Sequence, residues 1–173
     1  MVEKEIQREK EVETPALTHY DKSMQELRDM NRRAKEGKKV LKAKSIPWET
    51  NRQGIIKNYF KGDLSDICND RWNIFCHDIR QQSGKHAHQG GINLFVIKGA
   101  GYSTVDGERH DWKEGDLILL PIKKDGVVHQ HFNLDGKPSR WVAFRHRTTV
   151  DGIGNFREQK ETFSLWKEKG KGK

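Results

Sequence analysis

Three histidines stand at spacings that can hold a metal ion. His86 and His88 are separated by one residue in the run Gly84-Lys85-His86-Ala87-His88, and His129 follows far downstream in His129-Gln130-His131-Phe132-Asn133. On a β-strand alternate side chains share a face, so His86 and His88 point the same way. Between the two runs, Gly99-Ala100-Gly101, Asp106-Gly107 and Glu114-Gly115-Asp116 punctuate short apolar stretches. Such punctuation can fold His129 back beside the pair. Three neutral imidazoles suit a divalent first-row metal, and without a carboxylate the set accepts Fe, Zn, Ni, Mn or Cu. On an octahedral ion they leave three positions for substrate. His131 shares a strand face with His129. Its ordinary pKa of ~6.5 makes it a candidate acid/base or hydrogen-bonding residue. His77 and Asp78 are neighbours on one strand, face opposite sides, and are read as structural.

These side chains need short strands to place them. Apolar or alternating runs predict strands at about 72–80, 86–98, 101–106, 108–112, 116–120, 127–133 and 140–147, with 55–60 a first strand or a turn at the barrel mouth. Asp106-Gly107 is a two-residue hairpin signal. Many short strands joined by glycine turns predict an all-β sandwich or barrel.

The same residues carry a family resemblance. The chain resembles the cupins, whose first motif runs G, five residues, H-x-H, three or four residues, E, six residues, G. Here His86, His88 and Gly99 match, and the glutamate position falls at Asn93. The second motif runs G, five residues, P-x-G, two residues, H, three residues, N. It is matched by Gly115, Pro121, Gly126, His129 and Asn133, with a three-residue insertion after Pro121. Phe95-Val96-Ile97-Lys98-Gly99, Val105-Asp106-Gly107-Glu108-Arg109, Gly115-Asp116-Leu117-Ile118-Leu119 and His129-Gln130-His131 are similar to gentisate 1,2-dioxygenase-like cupins. The resemblance implies a double-stranded β-helix, or jelly-roll barrel, with the metal on His86, His88 and His129. It also implies Fe(II) as cofactor, with O₂ and a small hydroxylated aromatic acid as substrates of a non-haem dioxygenase. The alternatives are a metal-dependent cupin lyase or isomerase acting on a small carboxylate, and a non-catalytic small-molecule-binding cupin.

Asn93, read at the family's glutamate position, is expected on the inside, as a neutral amide that hydrogen-bonds the substrate or touches the metal weakly. A carboxylated substrate calls for an arginine, because guanidinium and carboxylate pair bidentately. Arg80, Arg140, Arg145 and Arg147 lie near the expected strands, and Arg145 is the first choice. Trp112, with Trp141 and Phe144, is expected to line a ring pocket or fill the core.

The chain divides by composition into a charged arm (1–45), a barrel (46–156) and a basic tail (157–173). In the arm, Ser23 and Glu26 have capping-box spacing, Met24, Leu27, Met30 and Ala34 recur at helical spacing, and Gly37 supplies a stop. This predicts a helix over 24–36. Its narrow apolar stripe needs cover from the barrel or from a second copy, so a homodimer is expected. The formal net charge of +8 is spread over arm and tail rather than focused in one patch, which argues against nucleic acid as a partner. No apolar run approaches the ~20 residues of a membrane span. No signal-peptide pattern opens the sequence, so a cytoplasmic location is expected. Cys68 and Cys76 have no metal-site spacing and are expected as reduced thiols.

Overall fold

Alternation along the strands decides which side chains enter the core. Strand β5 (Ile92–Lys98) buries Ile92, Leu94 and Val96 and exposes Asn93, Phe95 and Ile97. Strand β8 (Leu117–Leu120) buries Ile118 and Leu120 and exposes Leu117 and Leu119. The computed structural model describes residues 16–60, 66–69, 71–134, 136–152 and 156–166. The expected arm segment 1–15 and the end of the tail lie outside them.

Two antiparallel sheets face each other. The first holds β1 (Glu49–Thr50), β2 (Ile55–Phe60), β3 (Trp72–Ile79), β10 (Ser139–His146), β5 and β8, in the order β1-β2-β3-β10-β5-β8. The second holds β11 (Arg157–Glu161), β4 (Lys85–His88), β9 (Val127–Asn133), β6 (Ala100–Val105) and β7 (Glu108–Lys113), in the order β11-β4-β9-β6-β7. This is the all-β, two-sheet jelly-roll barrel expected from the sequence. Between the sheets, Ile79, Leu94, Val96, Trp112, Trp141 and Ala143 form the centre of the apolar core. Each large side chain removed from water there contributes about 1.5–3 kcal/mol.

The Asp106-Gly107 signal is realised as the β6–β7 hairpin, with Asp106 at φ 51. The Asp106 carboxylate accepts hydrogen bonds from Val128 N (2.9 Å) and Lys123 Nζ (2.6 Å), which ties this hairpin to β9. One expected strand, 86–98, is two. Gly90 and Gly91, at φ 78 and 67, break it into β4 and β5, which belong to different sheets. A Cβ on Gly90 would stand 1.7 Å from Pro121 O, so no other residue fits this crossover.

Two further expectations need correction. The helix α1 spans His19–Glu36, because Thr18 rather than Ser23 forms the capping box, with Asp21 as its partner. None of its residues is buried, and Leu27 and Met30 remain 46% and 37% exposed. The barrel also runs past residue 156. Strand β11 pairs with β4, and Phe163 is buried. Cys68 and Cys76 are free thiols, as expected. Among the described residues no helix is long and apolar enough to cross a membrane.

Because α1 buries nothing, removing residues 1–36 should leave the barrel's thermal midpoint within about 2 °C of the full chain, the scale of a surface change. Differential scanning calorimetry checks this, and a large drop would mean that the helix is integral to the core.

Candidate metal centre

The centre rests on one strand pairing. β4 and β9 run antiparallel with His86 opposite His129 and His88 opposite Val127. Cross-strand partners on one face lie about 5 Å apart, so the register alone collects His86, His88 and His129. All three are buried, and their donor atoms lie within 4.8 Å of one another. The three expected metal residues are thus brought together.

Backbone carbonyls orient two of the rings. His86 Nδ1 lies 3.3 Å from Gly84 O and His129 Nδ1 lies 3.0 Å from Val127 O. Donating there keeps each proton on Nδ1 and leaves the other nitrogen's lone pair for a metal. His88 differs. Its Nδ1 accepts from Gly90 N at 3.0 Å, which leaves its proton on Nε2. Ligation through Nε2 requires that proton to move and the Gly90 peptide to turn. The donor set fits a divalent first-row metal, with neutral nitrogen donors and no carboxylate.

Burial also sets protonation. Loss of water is the largest cause that pushes His86 down to about 3, His88 to about 2 and His129 to about 4. The neighbouring imidazoles add to the shift at His86 and His88. At neutral pH all three are neutral ligands.

Two cavities meet at this centre. An inner one of about 20 Å³ is lined by five imidazoles, His77, His86, His88, His129 and His131, with Trp141 among its other walls. An outer vestibule of about 320 Å³ opens over His86 and His88 and is bordered by Asn58, Asn73, Phe75, Ile92, Arg145 and Arg157. Gln53, Ile56 and Phe75 belong to both. A larger concavity of about 750 Å³ lies beside β7 and β8 and contains none of the triad.

The other expected residues divide. Arg145 lies in the vestibule as proposed. Arg80 and Arg140 instead hold the Asp78 carboxylate, at 3.4 and 2.6 Å. Asn93 is exposed on the outer face and touches no cavity of the site. Asn93 stands five residues beyond His88, an odd step that faces the other way, and the inward positions fall on Ile92, Leu94 and Val96. Trp112 also lies away from the histidines. It fills the core beneath β6, where its Nε1 donates to Ser103 Oγ at 2.9 Å. The aromatic side chain beside the imidazoles is Trp141, with ring centroids 4.9 Å from both His77 and His131.

His131 lies in the inner cavity, but not as a base of ordinary pKa. Burial, reinforced by the surrounding imidazoles, holds it well below 6.5. Its Nδ1 lies 2.7 Å from Ser103 Oγ. That hydroxyl accepts from Trp112 Nε1 and has no other acceptor than His131 Nδ1 among the described residues, so donating there satisfies its own buried hydrogen. His131 therefore keeps its proton on Nε2 and acts as a donor.

Sequence reasoning missed two residues, His77 and Arg157, whereas Trp141 was among the aromatics expected at a ring pocket or in the core. His77 was set aside because its neighbour Asp78 faces away, yet the same parity turns His77 inward. Hairpin 51–54 presses on its ring, since a Cβ on Gly54 would meet His77 Nε2 at 2.1 Å. Arg157 enters through β11, in register with His88. Trp141 Nε1 is buried with no hydrogen-bond partner among the described residues, a cost retained at functional sites more readily than in plain cores.

Two outcomes are expected. Replacing His86 or His129 by alanine should lower metal stoichiometry sharply, read by elemental analysis of the purified protein. The second concerns acid. His77, His86, His88 and His129 are neutral when folded and titrate near 6.5 when unfolded, so the unfolded chain binds more protons below that pH. The stability tied to them is whole above pH ~6.5 and is lost as pH falls toward about 4. The slope is roughly 1.4 kcal/mol per pH unit for each fully titrating histidine. Denaturant melts of metal-free protein at pH 7.5, 6 and 5 should show a steep decline, and a flat profile would contradict neutral burial.

Comparison with known proteins agrees with this architecture. A cupin domain family matches residues 75–145. No curated protein sequence is significantly similar to the chain. Among solved structures, a cupin-like protein from Thermotoga maritima superposes with a TM-score of 0.51 at 16% identity, covering 72% of this chain and 90% of that one. The polyketide cyclase RemF from Streptomyces resistomycificus gives 0.53 at 12% identity, covering 73% and 88%. A salicylate 1,2-dioxygenase from Pseudaminobacter salicylatoxidans gives 0.48 at 20% identity, covering 61% of this chain and 31% of that one. At these identities the likeness speaks to fold alone. With both histidine motifs on paired strands of a two-sheet barrel, and a cupin domain family matched across residues 75–145, the centre of the chain has a cupin fold.

Proposed function

We propose that this cupin is a non-haem Fe(II) dioxygenase acting on a small hydroxylated aromatic acid. The observation that carries the reading is a carboxylate-free set of three buried imidazoles beneath a vestibule bordered by Arg145 and Arg157. Fe(II) held by His86, His88 and His129 would supply a Lewis-acidic, redox-active centre with positions open to substrate and O₂.

The chain's own residues do the rest. Arg145 and Arg157 favour an anionic substrate in the vestibule, where Glu49 is the one acid among the lining residues. Phe75, Ile56 and Ile92 offer an apolar wall for a ring. A volume near 320 Å³ suits a small molecule. His131, its proton fixed on Nε2 through Ser103, is a hydrogen-bond donor for a substrate oxygen. The buried indole N–H of Trp141 is a second donor at the same cavity. Both are preset before substrate arrives, so they need no reorganisation as charge develops.

The test pairs metal analysis of protein purified without added metal with oxygen uptake over catechols, gentisate and salicylates. Iron-dependent O₂ consumption is expected with an aromatic acid. Arg145→Gln should raise KM about tenfold or more, consistent with loss of one charge-assisted pair. His131→Ala should keep its iron and lose on the order of 10²-fold in kcat, the scale of removing one preset hydrogen-bond donor. Undiminished turnover without O₂ would instead favour the lyase or isomerase reading.

A further inference from the structure

We infer, resting on the aromatic-acid reading of the vestibule, that Asn73 accepts a hydrogen bond from a group beside the substrate's carboxylate. The substrate class narrows accordingly, to acids that bear an amino or hydroxyl group next to the carboxylate. Strand register sets the geometry. Arg145 on β10 lies opposite Asn73 on β3 and opposite Ile92 on β5, and all three line the vestibule. They form one row across the sheet, with neighbours about 5 Å apart. A carboxylate held by Arg145 therefore has Asn73 on one side and an apolar side chain on the other.

The rows that follow along β3 and β10 orient the rest of the molecule. Phe75 lies opposite Ala143, and His77 lies opposite Trp141. Phe75 borders both cavities, whereas His77 and Trp141 line only the inner one. From vestibule to inner cavity the wall thus runs polar, apolar, polar. An acid with its ring over Phe75 turns its far end toward the imidazoles and keeps its carboxylate, with whatever stands next to it, at Arg145 and Asn73.

An unmatched atom says what that neighbour is. Arg145 and Arg157 offer donors only. Two other acceptors of the wall are already engaged. Glu49 Oε1 accepts from Asn58 Nδ2 at 2.7 Å and from Asn51 Nδ2 at 3.2 Å, and Asn51 Oδ1 accepts from Gln53 N at 2.9 Å. Asn73 Oδ1 is buried and has no hydrogen-bond partner among the described residues. Native proteins keep few such atoms, because each is costly. The missing partner is a donor, and the cavity that Asn73 borders is where a ligand brings one. A donor meets this oxygen once the amide turns about its last side-chain bond, a broad two-fold torsion. An oxygen that makes no hydrogen bond gives none up by turning. A site that keeps a polar atom for one substrate group disfavours analogues lacking that group, since they leave the atom unmatched.

The experiment is isothermal titration calorimetry of the full chain as purified, with 2-aminobenzoate and 2-methylbenzoate. These anions are nearly equal in size and differ in the donor. The wild type should bind the amine about tenfold tighter or more. In Asn73→Leu, a change of similar shape, the ratio of affinities should fall to about one, since the side chain no longer accepts. Chelation of a metal by the amine would survive that change, so a ratio that persists in the folded variant would overturn the assignment. The thermal midpoint of Asn73→Leu should also rise by about 2–4 °C, because the unmatched oxygen is gone. A fall of that size would show that the amide serves the fold instead. Should Asn73→Leu misfold, Asn73→Ala makes the same comparison of affinities. Equal binding of both acids by the wild type would overturn this inference and leave the vestibule reading standing, whereas binding of neither would overturn both.

Discussion

Five imidazoles sit beneath one small vestibule because the barrel strips water from them. Charging any of them would place a cation among its neighbours in a medium that cannot solvate it. Burial thus does two jobs at the centre. It keeps the nitrogens available as neutral donors at ordinary pH, and it makes acid an enemy of the fold as well as of the metal. The vestibule arginines add to this, since their positive field also disfavours an imidazolium at His88. One desolvation constraint therefore links ligand chemistry, the charge of the vestibule wall and acid sensitivity.

The β4–β9 pairing that delivers the ligands is fixed from several sides. Ser83 N donates to His131 O at 2.8 Å, and His131 N donates back to Ser83 Oγ at 2.9 Å. Gln130 Nε2 reaches Ser83 O at 2.8 Å. The Asp106 carboxylate holds Val128 from the neighbouring hairpin. A one-residue slip would turn every histidine outward, and these contacts oppose it. Ser103 serves both structure and chemistry, closing the Trp112 indole N–H into the core and setting the tautomer of His131.

The triad and the two-sheet barrel were legible in the sequence because both rest on period-two alternation, a local signal. Asn93 was misplaced through the motif's glutamate position, whereas the alternation itself, five residues on from His88, already turns it outward. His77 was legible by the same parity and was misjudged through its neighbour. Arg157 was not legible. Arg157-Glu158-Gln159-Lys160-Glu161 is a charged run that belongs in a strand only because β4 offers it an edge. The larger concavity beside β7 and β8 is a reminder that size does not locate chemistry, since its Asp106, Glu108, His110, Asp111 and Asp116 form no converging set among the described residues.

The pairing of β11 with β4 ties the far end of the described chain to the histidines. β11 follows every other described strand, yet it borders the strand that carries two of the three ligands. Gln159 Nε2 also reaches Arg52 O and Lys85 O, both at 3.3 Å, and Phe163 N donates to Arg52 O at 2.9 Å. Without this segment β4 would have β9 on one side and water on the other, and the vestibule would lack the wall to which Arg157 belongs. One terminal strand therefore both flanks the strand that carries two of the three histidines and closes the cavity above them, so the chain's last described strand guards the first histidine pair.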